Sequence, residues 1–248
     1  MNIKKTVVCF LILFLSISVY PKNIFREIGR LFQGTRRSIE LVLGTVTSAS
    51  LELSTPVVND KEMNDRLQNI AQALVPYTKR NLRYRFKILD LPYPNAFAVP
   101  GGWVYVTRKL MEMTDDDELA CVVGHEIGHI ESRHSIQAFE RSLIAQSILN
   151  YYSKKSKTVD KNAELIAIAN MIFNDLRFSR ENEREADRYA VDFAVKAGYN
   201  PYGMVRFFQK LQEMDKQGES DAFKMLRTHP LTSERINYTS DYIKKRLQ

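Results

Sequence analysis

The stretch Cys121-Val122-Val123-Gly124-His125-Glu126-Ile127-Gly128-His129-Ile130 decides the reading of this chain. It contains His-Glu-x-x-His. On an α-helix, positions four apart share a face, so the rings of His125 and His129 converge on one point. Two imidazoles one turn apart make half of a tetrahedral zinc site. Glu126 lies about 100° round the helix from His125, beside such an ion rather than on it. There it is placed to take a proton from a water activated by the metal, the chemistry of metal-assisted peptide hydrolysis. The bland alternative is a helix with two surface histidines. Ala120, Val122, Val123, Ile127 and Ile130 make the helix apolar on more than one face, which predicts burial. Buried imidazoles beside a buried carboxylate need partners, and a metal supplies one.

A zinc hydrolase needs a third protein ligand and a position left for water. No histidine follows His129 in a His-x-x-Gly-x-x-His pattern. His134 is five residues on, and if the helix continues it points about 140° away from His129. A carboxylate is therefore expected, and Phe178-Ser179-Arg180-Glu181-Asn182-Glu183-Arg184-Glu185-Ala186-Asp187 is the natural source. Glu183 and Asp187 share a helical face. Glu183 suits the metal, and Asp187 suits the free ring N–H of a ligand histidine. Glu181 and Glu185 are the competing choices. His229, in Thr228-His229-Pro230, is the histidine remote from the metal helix. It is either a loop residue without a role or a group that steadies an oxyanion.

Composition sets bounds around this. The chain has 248 residues, 44% hydrophobic and 26% charged, as expected of a globular protein with an ample core. The net charge of +7 admits an anionic surface as partner. No stretch combines dense Lys and Arg with interleaved aromatics, so nucleic acid is not an expected partner. Lys4 and Lys5 precede an apolar run from Val7 to Val19, so residues 1–20 read as an export signal, with Ser16-Ile17-Ser18 as a cleavage pattern, or as an uncleaved N-terminal anchor. Either implies an exported protein, periplasmic or membrane-associated on the extracytoplasmic side. Of the two cysteines, Cys9 falls in that segment and Cys121 on the metal helix, where packing is the simpler role.

Residues 21–58 form an N-terminal segment ahead of a domain spanning 59–248. In it, Ile24, Phe25, Ile28, Leu31 and Phe32 recur at helical spacing among basic residues. Such a helix packs on its own domain or lies on a membrane surface. Ser48 to Pro56 reads as a connector. Asn59 or Asp60 caps a helix running to about Val75. Tyr84 to Leu91 alternates as a strand. Residues 95–99, a Pro100-Gly101-Gly102 turn and a strand through Val106 follow, either as a supporting hairpin or as a sheet edge that takes an extended peptide along Asn95–Val99. Thr114 is placed to cap the metal helix, with Asp117 completing a capping box, and helical pattern continues through Ser135 to about Tyr152. Ser153 to Lys157 reads as a basic polar loop, and Asp160 to about Leu176 as a helix. Gly198 stops the helix after Ala197, with another from Pro201 to about Lys216 and a last one ending near Leu247.

Together these features resemble the HtpX-type and CAAX prenyl protease-type zinc metallopeptidases, metallopeptidase family forty-eight. The resemblance rests on Asn95-Ala96-Phe97-Ala98 with Pro100-Gly101-Gly102, then His125-Glu126-x-x-His129, then Phe178-Ser179-Arg180 leading to Glu183-x-x-Ala186-Asp187, then Thr228-His229-Pro230. It implies a mainly α fold with a small β-sheet (α+β, of gluzincin type) and one Zn2+ per chain held by His125, His129 and Glu183. It further implies Glu126 as general base and Asp187 as partner of a ligand histidine. His229 becomes either a stabiliser of the transition state or a regulatory fourth ligand. The short exported branch, similar to periplasmic outer-membrane quality-control proteases, fits better than the multi-spanning branches. No period of about 34 residues is visible, so a partner bound through tetratricopeptide repeats is not expected. The expected function is a zinc endopeptidase acting on misfolded or membrane-associated proteins outside the cytoplasm. The alternative is a metal-stabilised holdase using the same edge strand, against which the intact Glu126 argues. Nothing in the chain anchors a free terminus for exopeptidase action.

Overall fold

The computed structural model describes residues 24–138, 140, 178–217, 225, 229–231 and 233–248, with side chains from 37 onward. Several expectations lie outside these residues: the export segment, the apolar face of 24–32, the polar loop near Lys154, the helix over 160–176, and Thr228.

The described chain is mainly helical around one small mixed sheet. Helix α1 (Ile24–Ser54) and helix α2 (Lys61–Leu74) lead to strands β1 (Arg85–Leu89), β2 (Ala96–Val99) and β3 (Trp103–Thr107). Then come α3 (Arg108–Met113), α4 (Asp116–Glu131), α5 (Arg180–Ala197), α6 (Gly203–Lys216) and α7 (Ser233–Leu247). The sheet order is β1-β3-β2, with β3 parallel to β1 and antiparallel to β2. Gly101 (φ 84°) and Gly102 (φ 100°) turn the β2–β3 hairpin in a conformation that disfavours other residues.

Period-two alternation gives each sheet face its own core. Phe86, Ile88, Ala96, Ala98, Val104 and Val106 join the main core with Leu67, Ile70 and Leu74 of α2 and the apolar residues of α4. Leu89, Phe97, Val99 and Tyr105 form a second cluster on the opposite face, closed by Leu51 of α1. All four residues of β2 are buried.

Helix α1 corrects one expectation: Ser48–Ser54 is its last two turns, not a connector. The Ser and Thr side chains that suggest a linker instead donate to carbonyls one turn back. Thr45 reaches Leu41 O (2.8 Å), Ser48 reaches Thr45 O (3.2 Å) and Ser54 reaches Leu51 O (3.0 Å). Pro56 then ends the helix. The described part of α1 packs on the domain. Glu40 and Arg80 form a largely buried pair (2.6 Å), and Arg80 also donates to Ile130 O at the end of α4 (2.7 Å). Glu52 accepts from Lys87 (2.6 Å) and from the Tyr105 hydroxyl (2.7 Å).

The start of α4 is one residue later than expected. Thr114 Oγ1 donates to Leu110 O (2.7 Å) and closes α3, so Asp115 becomes the N-cap. Asp115 accepts from Glu118 N (2.8 Å), and the Glu118 carboxylate accepts from Asp115 N (3.0 Å), a full capping box. The end of α4 also differs. The helix does not run on through Ser135: it stops at Glu131, and Arg133 takes a left-handed conformation (φ 57°). The next helical turn, with His134, therefore leaves in a new direction.

Candidate metal centre

Helices α4 and α5 cross where their side chains are smallest. A Cβ on Gly124 would sit 3.2 Å from Ala190 Cα, and one on Gly128 only 2.7 Å from Tyr189 Cβ. This close approach brings the carboxylates of α5 to the imidazoles of α4. Ser179 starts α5 as its N-cap, accepting from Asn182 N (3.2 Å), and Gly198 ends it at φ 82°.

Four ligand atoms meet there, from His125, His129, Glu183 and His229, all within 4.8 Å of one another and all buried. His125 Nε2 and His129 Nε2 are 3.0 Å apart, and His125 Nε2 and His229 Nδ1 3.3 Å. Glu183 Oε1 lies 3.1 Å from His229 Nδ1 and 3.4 Å from His129 Nε2. Donors round a tetrahedral zinc, each about 2.1 Å from it, sit roughly 3.4 Å apart. The set therefore fits a zinc ion in both chemistry and spacing.

Charge makes the same point. Glu126, Glu183 and Asp187 are three buried carboxylates, against one buried guanidinium, Arg235. Arg235 holds Asp187 by two bonds, Nε to Oδ2 (2.6 Å) and Nη2 to Oδ1 (2.7 Å), and lies 2.6 Å from Glu183 Oε2. Among the described residues Arg235 thus offsets only part of the buried carboxylate charge, and a divalent cation beside Glu183 would offset more of it. Both Glu126 oxygens are buried without a hydrogen bond of good geometry among the described residues, although the Ala98 N–H and His229 Nε2 (3.5 Å) stand near, the sort of under-satisfied acceptor a metal centre with its water satisfies.

The site's titration follows from these neighbours. Burial pushes the Glu126 carboxyl above its ordinary value, although His229 and His125 oppose this. Burial would raise Glu183 too, but Arg235 and then His229 outweigh it and hold Glu183 well below the carboxylate range. Asp187 is likewise lowered by Arg235 against burial. Burial drives His129 well below its ordinary value, which keeps it neutral as a ligand must be. Burial would lower His229 as well, but the carboxylates of Glu183 and Glu126 overcome it and raise its value.

The surroundings assign further side chains. Asp187 Oδ1 lies 2.9 Å from His125 Nδ1, though bent from the line of a straight hydrogen bond. His229 turns Nδ1 toward the ligand atoms, while its Nε2 is 3.5 Å from Glu126 Oε1. Phe178 stacks on His129, with ring centroids 4.0 Å apart. Glu185, one of the competing ligands, instead accepts from Ser132 Oγ (2.6 Å) and faces His134. Glu181 is exposed. Cys121 packs away from the cluster against Pro201 O (3.7 Å), and burial pushes its thiol up to about 12.

Sequence reading missed two residues. Arg235 gave no signal, because a lone arginine near the C-terminus looks solvated and its partners lie on another helix. His134 was placed about 140° from His129 on a continuous helix. The break at Arg133 swings it back, and its Nδ1 lies 2.9 Å from His129 Nδ1.

Comparison with known proteins agrees with this centre. Residues 59–243 match the model of peptidase family M48. The chain is 31% identical over 180 residues to the metalloprotease YcaL of Escherichia coli K12, covering 72% of this chain and 69% of that protein. It is 29% identical over 209 residues to a putative beta-barrel assembly-enhancing protease of Vibrio cholerae, covering 79% of this chain. It spans 42% of the length of that relative. A crystal structure of S. mikatae Ste24p aligns with 96% of the chain and 62% of its own, at a TM-score of 0.47 and 16% identity. With a family match over most of its length and a buried His/His/Glu/His cluster, the chain belongs to peptidase family M48.

Proposed function

We propose that this chain is a metalloprotease, a zinc endopeptidase that cleaves misfolded or membrane-associated proteins outside the cytoplasm. The observation that carries the reaction is the Glu126 carboxylate. It is fully buried, lacks a hydrogen bond of good geometry among the described residues, and stands beside four convergent ligand atoms. His125, His129 and Glu183 would hold the ion, and His229 Nδ1, which also faces the ligand atoms, would be a fourth ligand. When bound, zinc supplies Lewis acidity and lowers the pKa of water to about 7. Glu126, its own affinity for protons raised by burial, takes the proton of the attacking water and passes it to the leaving amine. Arg235 and Asp187 hold Glu183 and His125 in place. Alternatively His229 Nε2, on the Glu126 side, would donate to the oxyanion.

The substrate in this reading lies extended along β2, the end strand of the described sheet. The register with β3 turns the backbone N–H and C=O of Ala96 and Ala98 away from β3. Ser135 Oγ donates to Ala98 O (3.4 Å), a long bond that a substrate amide would replace. Residues 1–20, with Lys4, Lys5 and the apolar run to Val19, support an exported or membrane-anchored location. No helix among the described residues is long and apolar enough to cross a membrane. Beta-barrel assembly, in the name of one relative, is a substrate context to test first.

The deciding experiment is Glu126→Gln. The variant should retain stoichiometric zinc and lose about 10²–10⁴-fold in cleavage of an unfolded protein such as reduced casein. Wild-type turnover by the variant would reject the mechanism.

A further inference from the structure

We propose that His134 is a positioning residue for the metal centre, the middle member of a relay that sets the orientation and tautomer of His129. The inference rests on the zinc reading above.

The two ligand imidazoles are supported differently. His125 has a carboxylate directly beside its Nδ1, that of Asp187 (2.9 Å). His129 has none. Its Nε2 points into the ligand cluster, 3.0 Å from His125 Nε2 and 3.4 Å from Glu183 Oε1. To bind a metal through Nε2, a neutral imidazole must carry its proton on Nδ1. The atom facing that Nδ1 is His134 Nδ1, at 2.9 Å. His134 must then accept through Nδ1 and carry its own proton on Nε2. Its Nε2 faces Glu185 Oε2 at 3.3 Å, an acceptor able to receive that proton's hydrogen bond. Glu185 is itself held by Ser132 Oγ at 2.6 Å. Each hydrogen therefore has one direction: His129 donates to His134, His134 donates to Glu185, and Ser132 also donates to Glu185.

The backbone builds this arrangement. With α4 continuous, position 134 would point away from position 129. The left-handed Arg133 ends the helix and turns the following residue back under it. His134 is 3% exposed, while the Glu185 side chain is 42% exposed, so the relay runs from the metal centre to the surface. Phe178 covers the face of His129, which confines that ring to the plane the relay selects. A carboxylate on a ligand histidine raises its basicity and fixes its angle, and removing such a partner typically costs about 10–100-fold in metal affinity. Here an imidazole stands between the ligand and the carboxylate.

The test compares His134→Phe, which keeps a flat ring but has no acceptor, with His134→Asn, which restores an acceptor near the position of Nδ1. Zinc dissociation constants are read by competition with a chromogenic chelator, and folding by circular dichroism in excess zinc. The expected result is a loss of about 10–100-fold for His134→Phe and recovery of most of it by His134→Asn. Glu185→Gln should show a smaller loss. The d–d bands of cobalt in the site should shift in His134→Phe and return toward wild type in His134→Asn. A folded His134→Phe protein that binds zinc within about twofold of wild type overturns the proposal, as does equal loss in the Phe and Asn variants. If His134→Phe does not fold, Glu185→Gln decides: unchanged affinity together with an unchanged cobalt spectrum overturns the relay. A wild-type protein that binds no zinc would instead remove the metal reading, so the two failures are distinct.

Discussion

Arg235 shows how one side chain can prepare a metal centre before the metal arrives. Three carboxylates in a water-poor pocket repel one another, and each is costly to bury alone. Arg235 clamps Asp187 with two bonds, reaches Glu183, and lies 4.7 Å above the ring of Phe208. Replacement by methionine should destabilise the metal-free protein by roughly 3–5 kcal/mol, the cost of breaking a buried ion pair from one side. Zinc should recover part of this by neutralising Glu183. Thermal unfolding of Arg235→Met with zinc and with a chelator measures both, and the metal-induced rise in Tm should exceed that of wild type. Glu126 differs from Glu183 in its neighbours. Glu183 has a guanidinium beside it and stays ionised, whereas burial alone dominates Glu126 and favours the proton.

At the scale of elements, the site depends on how α4 begins and on what it touches. Asp115→Ala removes the capping box and should cost about 1 kcal/mol at neutral pH. Burial would raise the Asp115 carboxyl, but the Glu118 N–H and Arg206 outweigh it and lower its value. A group depressed on folding stabilises fully above its unfolded value, near 3.9, and loses that contribution as the pH falls through the lower folded value. The gap between wild type and Asp115→Ala in urea midpoints should therefore hold at pH 7 and narrow below about pH 4. Further along α4, Gly128 permits the contact with α5. In Gly128→Ala the new methyl would press on Tyr189 Cβ at 2.7 Å and Ala186 Cα at 3.1 Å, so the helices must part. The expected result is a loss of about 1–3 kcal/mol in urea unfolding together with weaker zinc binding, because Glu183 and Asp187 ride on α5. Loss of stability with unchanged zinc affinity would mean that the crossing does not set the site.

Across the whole molecule, α1 belongs to the scaffold of the site. It closes the far face of the sheet through Leu51, pairs Glu40 with Arg80, and through Arg80 reaches the Ile130 carbonyl in the last turn of α4. Its tightest contact is Gly44 against the β2–β3 turn, where a Cβ would sit 1.8 Å from Pro100 O. Gly44→Ala should push α1 from the hairpin and lower stability by about 1–3 kcal/mol, read as a shift in urea midpoint. Leu53→Ser, at a position 89% exposed, is the control and should leave the midpoint unchanged.

Local pattern was enough for much of this protein. Helical spacing puts His125 and His129 on one face and Glu183 and Asp187 on another, and alternation marks the strands from Tyr84 to Val106, because helix and strand periods are properties of the backbone alone. Tertiary structure decided the rest. Whether Ser48–Ser54 is helix or linker depended on α1 having a sheet to pack on. Arg235 acquires a role only when α7 meets α5 across about 50 residues of chain. His134 was misplaced because one residue, Arg133, leaves the helical conformation, and a single change of φ redirects everything after it. Ligand spacing is written in short-range periodicity, whereas charge balance and the support of the ligands arise from contacts between segments that no local pattern connects.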